Sequence, residues 1–262
     1  MIAKAKAISH GINDIRYITG ESHNKKHPEK IYRILDNMMS SEPDAMGIWN
    51  SMQLTLSRFR PVKNSVIRIE LSPSLEHTKD FTIEDWQKLW QDFAKEFDKQ
   101  VFKDKDGKVR NCPTNLANSK YTVWLHMESN SGVPHLHAAV CRMDEDGQIN
   151  NDHNIHLRAQ WAAERVAKKR GWTTAKQVRN VNIPLVTRDC MNVLKSMSSW
   201  SWDEYKAALT KKGYTIHERK DDDGILHGYA IMKGKTKYKA SDLGIGRNLI
   251  FVLIMESLIT CA

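Results

Sequence analysis

Two short apolar runs, residues 121–127 and 134–143, constrain the fold of this chain more than any other feature. Both have the composition of β-strands, and the segment between them contains Asn130-Ser131-Gly132, a turn signal. We therefore expect an antiparallel hairpin. Other strand signals are also joined by hairpins rather than by crossover helices. The chain is predicted to be α+β, with a mainly antiparallel sheet on which helices pack.

Local signals predict the remaining elements. Thr82 and Asp85 resemble a capping box, and Ser201 with Glu204 forms a second one, so a helix should begin at each. In the first of these helices the apolar residues share one face, which predicts core packing. The expected helices span 9–20, 28–39, 48–59, 83–97, 157–170, 188–197 and 202–212. Further strands are expected over 2–8, 66–71 and 214–219, and a hairpin across 227–239.

The chain is basic, with a net charge of +9 and a pI of about 9.3. Such a charge favours a polyanionic partner, and its distribution strengthens the case. Lys233, Lys235, Lys237 and Lys239 alternate, so a single strand would place them on one face. A solvated charged face is the alternative interpretation. The other cluster comprises Arg158, Arg165, Lys168, Lys169, Arg170, Lys176 and Arg179.

Length and composition set the remaining expectations. The 262 residues fit a single domain over 1–262, with 198–262 as a candidate C-terminal subregion. The four cysteines form no CxxC pair, which argues against a zinc ribbon and favours a reduced, cytoplasmic setting. No secretory signal is visible, and the apolar tail 249–262 is too short to cross a bilayer. We expect no membrane partner.

Three histidines can converge on one cation. His135 and His137 lie two residues apart in a predicted strand, so their imidazoles share a face about 7 Å apart. His126 ends the preceding strand, about 5 Å away across the hairpin. Three protein ligands leave coordination positions open, as in catalytic metal sites. The alternative is that each histidine is an ordinary core residue.

The ligand set and the basic clusters indicate the chemistry. A metal ion can hold the oxygens of a phosphodiester while water or a side chain attacks phosphorus. We expect a divalent ion, Mn²⁺ or Mg²⁺ first, with Zn²⁺, Ni²⁺ and Co²⁺ as alternatives. A histidine-triad nucleotide hydrolase needs a third alternating histidine, where this chain has Ala139, and no HExxH motif is present.

The histidine region resembles the third motif of mobilisation relaxases, which nick one DNA strand at a transfer origin. The similar residues are His126-Met127-Glu128, Pro134-His135-Leu136-His137-Ala138-Ala139-Val140 and Arg142. Looser similarity covers the opening strand, the helix with Tyr17, and the segments 201–213, 228–229 and 238–244. The chain departs from the family's commonest pattern in two ways: His135 follows His126 by nine positions, a longer gap than usual, and Glu128 stands where aspartate is usual.

The resemblance implies a palm-like, ferredoxin-like sheet and a transesterification that leaves a 5′-phosphotyrosyl enzyme. Tyr17 would be the nucleophile, Glu128 would assist, and His126, His135 and His137 would bind the metal. The partner would be single-stranded or supercoiled DNA at a transfer origin, with accessory mobilisation proteins. The expected DNA contacts are Arg142, Arg165, Lys168, Lys169, Arg170, Lys235 and Lys237.

Three alternatives remain open from the sequence. A related branch of the family uses a histidine nucleophile, which makes His10 and His23 rivals of Tyr17. A rolling-circle replication initiator would share the histidine-metal nicking chemistry. A non-catalytic DNA-binding or metal-buffering protein would bind the cation without forming a covalent DNA adduct.

Overall fold

The computed structural model describes residues 1–22, 28–39, 44–127, 132–234 and 236–244. The chain divides into two compact units, Met1–Ala175 and Lys176–Ala262. Residue 198, the expected start of a C-terminal subregion, lies inside the second unit. Each unit is built around its own antiparallel sheet.

The sheet of the first unit has five strands in the order β1-β3-β5-β4-β2, and every neighbouring pair is antiparallel. This confirms the predicted α+β class with a mainly antiparallel sheet. The predicted hairpin forms its centre, because β4 and β5 pair with each other and are buried along almost their whole length. The strands are β1 (Ile2–Ile8), β2 (Ile31–Asn37), β3 (Val66–Ser72), β4 (Tyr121–His126) and β5 (His135–Cys141).

The described residues of this unit form five α-helices: α1 (Gly11–Thr19), α2 (Ala45–Ser57), α3 (Leu75–Thr78), α4 (Ile83–Asp98) and α5 (Ile155–Lys169). Alternation along the strands separates two cores. Leu125 and Leu136 pack with α4 and α5, whereas Trp124 and Ala139 pack with α1 and α2 on the other side. The odd-numbered residues of β5 and the even-numbered residues of β4 therefore point toward α1 and α2.

Two local signals behave as expected at helix ends. Thr82 and Asp85 form a reciprocal capping box at the start of α4. Gly20 ends α1 in the left-handed conformation, with φ of 87°, which a residue without a Cβ adopts at little cost. The helix expected from residue 9 begins later, at Gly11, after His10 and without a side-chain cap.

The helix expected over 28–39 is wrong. One 3₁₀ turn, Pro28–Lys30, leads into strand β2 instead. This strand pairs with the free edge of β4 from Ile31 opposite His126 to Asn37 opposite Tyr121, with a bulge between Arg33 and Leu35. Backbone pairing to the edge of β4 outweighs the local helix preference here. The sequence of residues 31–37 alone does not indicate that such an edge is present.

The second unit contains α6 (Ala175–Ser196), α7 (Trp202–Lys211), β6 (Tyr214–Lys220), β7 (Leu226–Lys233) and β8 (Thr236–Lys239). Ser201 caps α7, and the strands form an antiparallel sheet in the order β6-β7-β8. The expectation that four alternating lysines share one strand is wrong. The chain turns after Lys233, which pairs with Thr236 across the hairpin, so Lys233 lies on the face opposite to Lys237 and Lys239.

The helices of the described ranges include none with both the length and the apolar character that crossing a bilayer requires. The apolar tail 249–262 lies outside the described residues.

Candidate metal centre

The strand register brings the three predicted ligands together. His126 pairs directly with His135, and His137 pairs with Trp124, two residues back along β4. All three imidazoles point toward α1 and α2. The ring centroid of His137 lies 4.3 Å from that of His126 and 4.7 Å from that of His135.

One nitrogen from each ring lies within 4.8 Å of the others, so a single ion can contact all three. His126 donates from Nε2 to the carbonyl of Ile18 at 2.8 Å, and His135 donates from Nδ1 to the carbonyl of Val133 at 3.0 Å. A carbonyl only accepts, so each bond places the ring proton on the bonded nitrogen and thereby sets the tautomer. The donor set therefore fits a divalent metal ion that accepts imidazole ligands.

The bond from His126 also satisfies a helix end. Ile18 lies in the last turn of α1, where carbonyl groups have no partner within the helix. The imidazole supplies the missing donor from β4. The end of the helix that carries Tyr17 is thereby attached to the histidine cluster.

Tyr17 lies against this cluster. Its ring centroid is 5.8 Å from that of His126, and its side chain remains 40% exposed. Partial burial is the main reason why the pKa of its phenol is raised above the ordinary value. The carboxylates of Glu70 and Asp14 raise it further, and Arg68 opposes them. The phenol is therefore protonated at neutral pH, and a base must take up its proton before it can act as a nucleophile.

A chain of charged groups lies beside the cluster, and the sequence alone did not single it out. Arg68 contacts Asp14 at 3.3 Å and Glu70 at 3.6 Å, and Lys4 approaches Glu70 at 3.8 Å. Glu70 pairs across the sheet with His137, so it lies on the histidine side. The signal that could have revealed this chain is the presence of two charges in alternation within an otherwise apolar strand, β3.

Asp14 has the most perturbed carboxyl group near Tyr17. Burial raises its pKa to about 6, although the guanidinium of Arg68 partly opposes the shift. Its Oδ1 atom contacts Arg68, whereas its buried Oδ2 atom has no hydrogen-bond partner among the described residues. A carboxylate of this kind is a stronger base than an exposed one and is still mostly ionised at pH 7.

The basic residues of α5 lie away from the cluster. Helix α5 packs on the opposite face of the sheet, and its cations contact acidic side chains there. Neither their position nor their partners support the expected DNA contacts around the histidines. The pairs are Arg165 with Glu96 at 3.9 Å, Lys168 with Glu164 at 2.8 Å, Lys169 with Glu96 at 2.6 Å, and Arg170 with Asp92 at 2.6 Å.

Arg142, another expected DNA contact, is buried. Its guanidinium donates to the backbone carbonyls of Asn150 and Asn64 and pairs with Asp152 at 2.8 Å. These bonds hold the turn that follows β5. Nothing around this side chain supports a contact with DNA.

Five other expected residues remain, and the structure describes only two of them. Glu128, Lys235 and the rival nucleophile His23 lie outside the described residues. Lys237 is exposed on β8 in the second unit. The other rival nucleophile, His10, is exposed before α1 and does not belong to the three-histidine group.

No family model matches this sequence, and no curated protein sequence matches it. Among solved structures, the chain is similar to the conjugative relaxase TrwC in complex with oriT DNA. The metal-bound structure has a TM-score of 0.36 at 12% identity, over 80% of this chain and 90% of that chain. The copper-bound structure has a TM-score of 0.40 at 12% identity, over 86% and 75%.

The metal-free TrwC structure has a TM-score of 0.37 at 13% identity, over 79% of this chain and 89% of that chain. With TM-scores no higher than 0.40, these likenesses carry no argument about activity.

Proposed function

We propose that this chain is a DNA relaxase, a metal-dependent nickase that cuts one strand at a transfer origin and becomes covalently joined to the 5′ end. The observation that carries the proposal is the position of Tyr17, whose ring lies 5.4 Å from that of His137 and 5.8 Å from that of His126. A candidate nucleophile and a candidate cation site thus adjoin on one face of the sheet. The resemblance of the histidine motif to mobilisation relaxases supports the same function.

The chemistry follows from the residues present. The Oη atom of Tyr17 gives up its proton and forms a bond to phosphorus, the bond from phosphorus to the 3′ oxygen breaks, and that oxygen takes up a proton and leaves as a 3′-hydroxyl. His126, His135 and His137 would hold a divalent ion, which supplies charge stabilisation at the phosphate oxygens when bound. One phosphate ester replaces another, so the reaction is nearly balanced and the 3′-hydroxyl can reverse it. Reversibility of this kind suits strand transfer.

The proton of Tyr17 needs an acceptor. Asp14 and Glu70 both act electrostatically on the phenol. Asp14 combines a pKa of about 6 with a buried oxygen that lacks a partner among the described residues, so it is the better matched general base at neutral pH. Glu128, the acid expected to assist, would act from the segment between β4 and β5.

The test is the covalent adduct itself. The protein is incubated with Mn²⁺ or Mg²⁺ and a labelled library of single-stranded oligonucleotides, and a DNA–protein species that resists denaturation is sought. Tyr17→Phe should retain DNA binding and lose the adduct. Tyr32→Phe is the matched control, because Tyr32 is similarly exposed at 47% but pairs with Leu125 and faces the opposite side of the sheet.

Three outcomes would contradict the proposal in different ways. An adduct that persists in Tyr17→Phe and disappears in His10→Ala or His23→Ala would assign the nucleophile to a histidine. Tight metal binding without any adduct would indicate a DNA-binding or metal-buffering protein. An adduct formed at a replication origin and not at a transfer origin would indicate a replication initiator.

A further inference from the structure

The sheet of the second unit has one covered face and one open face. Tyr229, Ile231 and Tyr238 point to the covered face and are buried with the apolar residues of α6 and α7. The alternate residues form what we call the open face. Its central members are His217 and Arg219 of β6, Gly228 and Ala230 of β7, and Lys237 and Lys239 of β8.

The open face contains a shallow trough of about 580 Å³. Gly228 and Ala230 form its floor, and the pairing of His217 and Lys239 with Ala230 places basic side chains along both walls. A Cβ atom built on Gly228 would meet nothing within 4 Å. Small residues on the central strand and long ones on the outer strands thus leave room for a ligand to approach the backbone.

The open face is predominantly basic, although the carboxylate of Asp221 lies 2.6 Å from His227, one of the residues that line the trough. Arg219, Lys237 and Lys239 are exposed, and none has an ion-pair partner among the described residues. Among the described residues of the three strands, no aspartate or glutamate points to this face. The nearby carboxylate of Glu218 belongs to the other face and is already occupied by Lys206 at 2.9 Å and Lys220 at 2.8 Å.

We propose that the open face binds the sugar–phosphate backbone of duplex DNA. The two outer strands lie about 10 Å apart, so one backbone can lie between Arg219 on one side and Lys237 and Lys239, about 7 Å apart, on the other. Non-specific single-strand binding normally adds aromatic stacking platforms. Here the tyrosines of the sheet point into the core, which leaves backbone contacts without base contacts. The choice of DNA as the polyanion rests on the proposed function.

The face is tested by one steric and electrostatic substitution with a matched control. Gly228 has no positive φ, so a longer residue is tolerated by the strand backbone. Gly228→Glu places a carboxylate in the trough, and Gly228→Gln places an amide of the same size. The affinity of the full chain for a labelled 25-base-pair duplex of arbitrary sequence is measured by titration. We expect a loss of roughly tenfold or more in Gly228→Glu relative to Gly228→Gln.

A second variant measures the phosphate contacts directly. The triple variant Arg219→Gln, Lys237→Gln, Lys239→Gln should reduce the dependence of log affinity on log salt by about 2.7, since each lost phosphate contact contributes about 0.9. Thermal unfolding of each variant reports whether the fold survives. An unchanged salt dependence in a folded triple variant would overturn the inference. So would a loss confined to single-stranded oligonucleotides, which would make a single strand the occupant.

Failure of this inference is separable from failure of the proposed function. Adduct formation by the unaltered protein reports on the nickase activity, whereas the duplex titration reports on the open face. Duplex affinity that depends on the open face in a protein that forms no adduct would support this inference and contradict the nickase. If the protein forms an adduct and none of these substitutions changes its duplex affinity, the nickase is supported and this inference is contradicted.

Discussion

The phenol ring of Tyr17 lies edge-on to the imidazole of His137, with 81° between the ring planes. The two residues come from distant parts of the sequence, and helix α1 crosses the histidine side of the sheet to bring them together. This contact makes Tyr17 a candidate nucleophile rather than an ordinary helix tyrosine. It places the phenol beside the histidine cluster, which among the described residues is suited to a cation. It also makes the contribution of each residue separable by mutation.

Removal of one imidazole should abolish the cation site and leave the fold intact. In His137→Ala we expect affinity for Mn²⁺ to fall by about 100-fold or more and the adduct to disappear, because two ligands hold a labile ion poorly. Equilibrium dialysis measures the ion, and circular dichroism checks folding. His156→Ala is the control, because His156 is exposed on α5. Normal metal binding and nicking by His137→Ala would rule out this site.

Asp14 should make stability depend on pH in a known direction. Its pKa is raised from 3.8 to about 6 in the folded state, so the folded protein binds the proton more tightly than the unfolded chain does. The resulting stabilisation is present below pH 3.8 and is lost as the pH rises to about 6. Between pH 4 and pH 7 the loss should be on the order of 2–3 kcal/mol.

Asp14→Asn isolates this contribution. The free energy of urea unfolding is measured for both proteins at pH 4 and pH 7. Because both contain the same histidines, the difference between their pH dependences belongs to the carboxyl group. Identical pH dependence in the two proteins would mean that Asp14 has an ordinary pKa.

Gly11 should be intolerant of any side chain. A Cβ atom there would lie 2.3 Å from a ring carbon of Trp49 and 2.8 Å from a methyl group of Val66. We expect Gly11→Ala to cost about 1–3 kcal/mol and to slow adduct formation by shifting α1. Gly228→Ala, made in open space, should leave stability nearly unchanged. Equal unfolding midpoints for the two variants would contradict this account.

Arg158 should act on stability and not on DNA affinity, although it begins the basic segment 158–179. Its guanidinium is buried and donates to the carbonyls of Phe97, Gln100 and Cys112 at 2.9, 3.0 and 2.6 Å. Arg158→Gln should cost about 3 kcal/mol or more, since several buried acceptors lose their donor. Arg165→Gln, an exposed position on the same helix, should change stability by less than about 1 kcal/mol. Chemical denaturation and duplex titration together test both expectations.

The central hairpin and its histidines could be predicted from the sequence because the information is local. Alternation decides which side chains share a face, and the turn signal Asn130-Ser131-Gly132 in the sequence predicts that the two strands are neighbours. His126, His135 and His137 needed nothing further. The end of α1 at Gly20 and the start of α4 at the Thr82 capping box could also be predicted, because both signals are local.

The remaining features depend on partners distant in the sequence. Strand β2 forms because β4 has an edge available for pairing. The residues of β2 do not themselves indicate that this edge exists. The basic residues of α5 looked like phosphate ligands, but Asp92 and Glu96 of α4 take up several of them. Asp14 and Arg68 meet only after α1 folds back over β3, so no local pattern connects them.

The hydrogen bond from His126 to the Ile18 carbonyl has a thermodynamic consequence. It joins the end of α1 to an imidazole of the cation site. Any displacement of the helix that weakens this bond changes the basicity of His126 and therefore its affinity for the ion. By thermodynamic linkage, binding of the ion must stabilise the bonded position of the helix by the same free energy. Ion occupancy and helix order are thus two readouts of a single equilibrium. Slower hydrogen exchange at the amides of α1 would accompany loading with Mn²⁺, and the same helix would report its removal by a chelator.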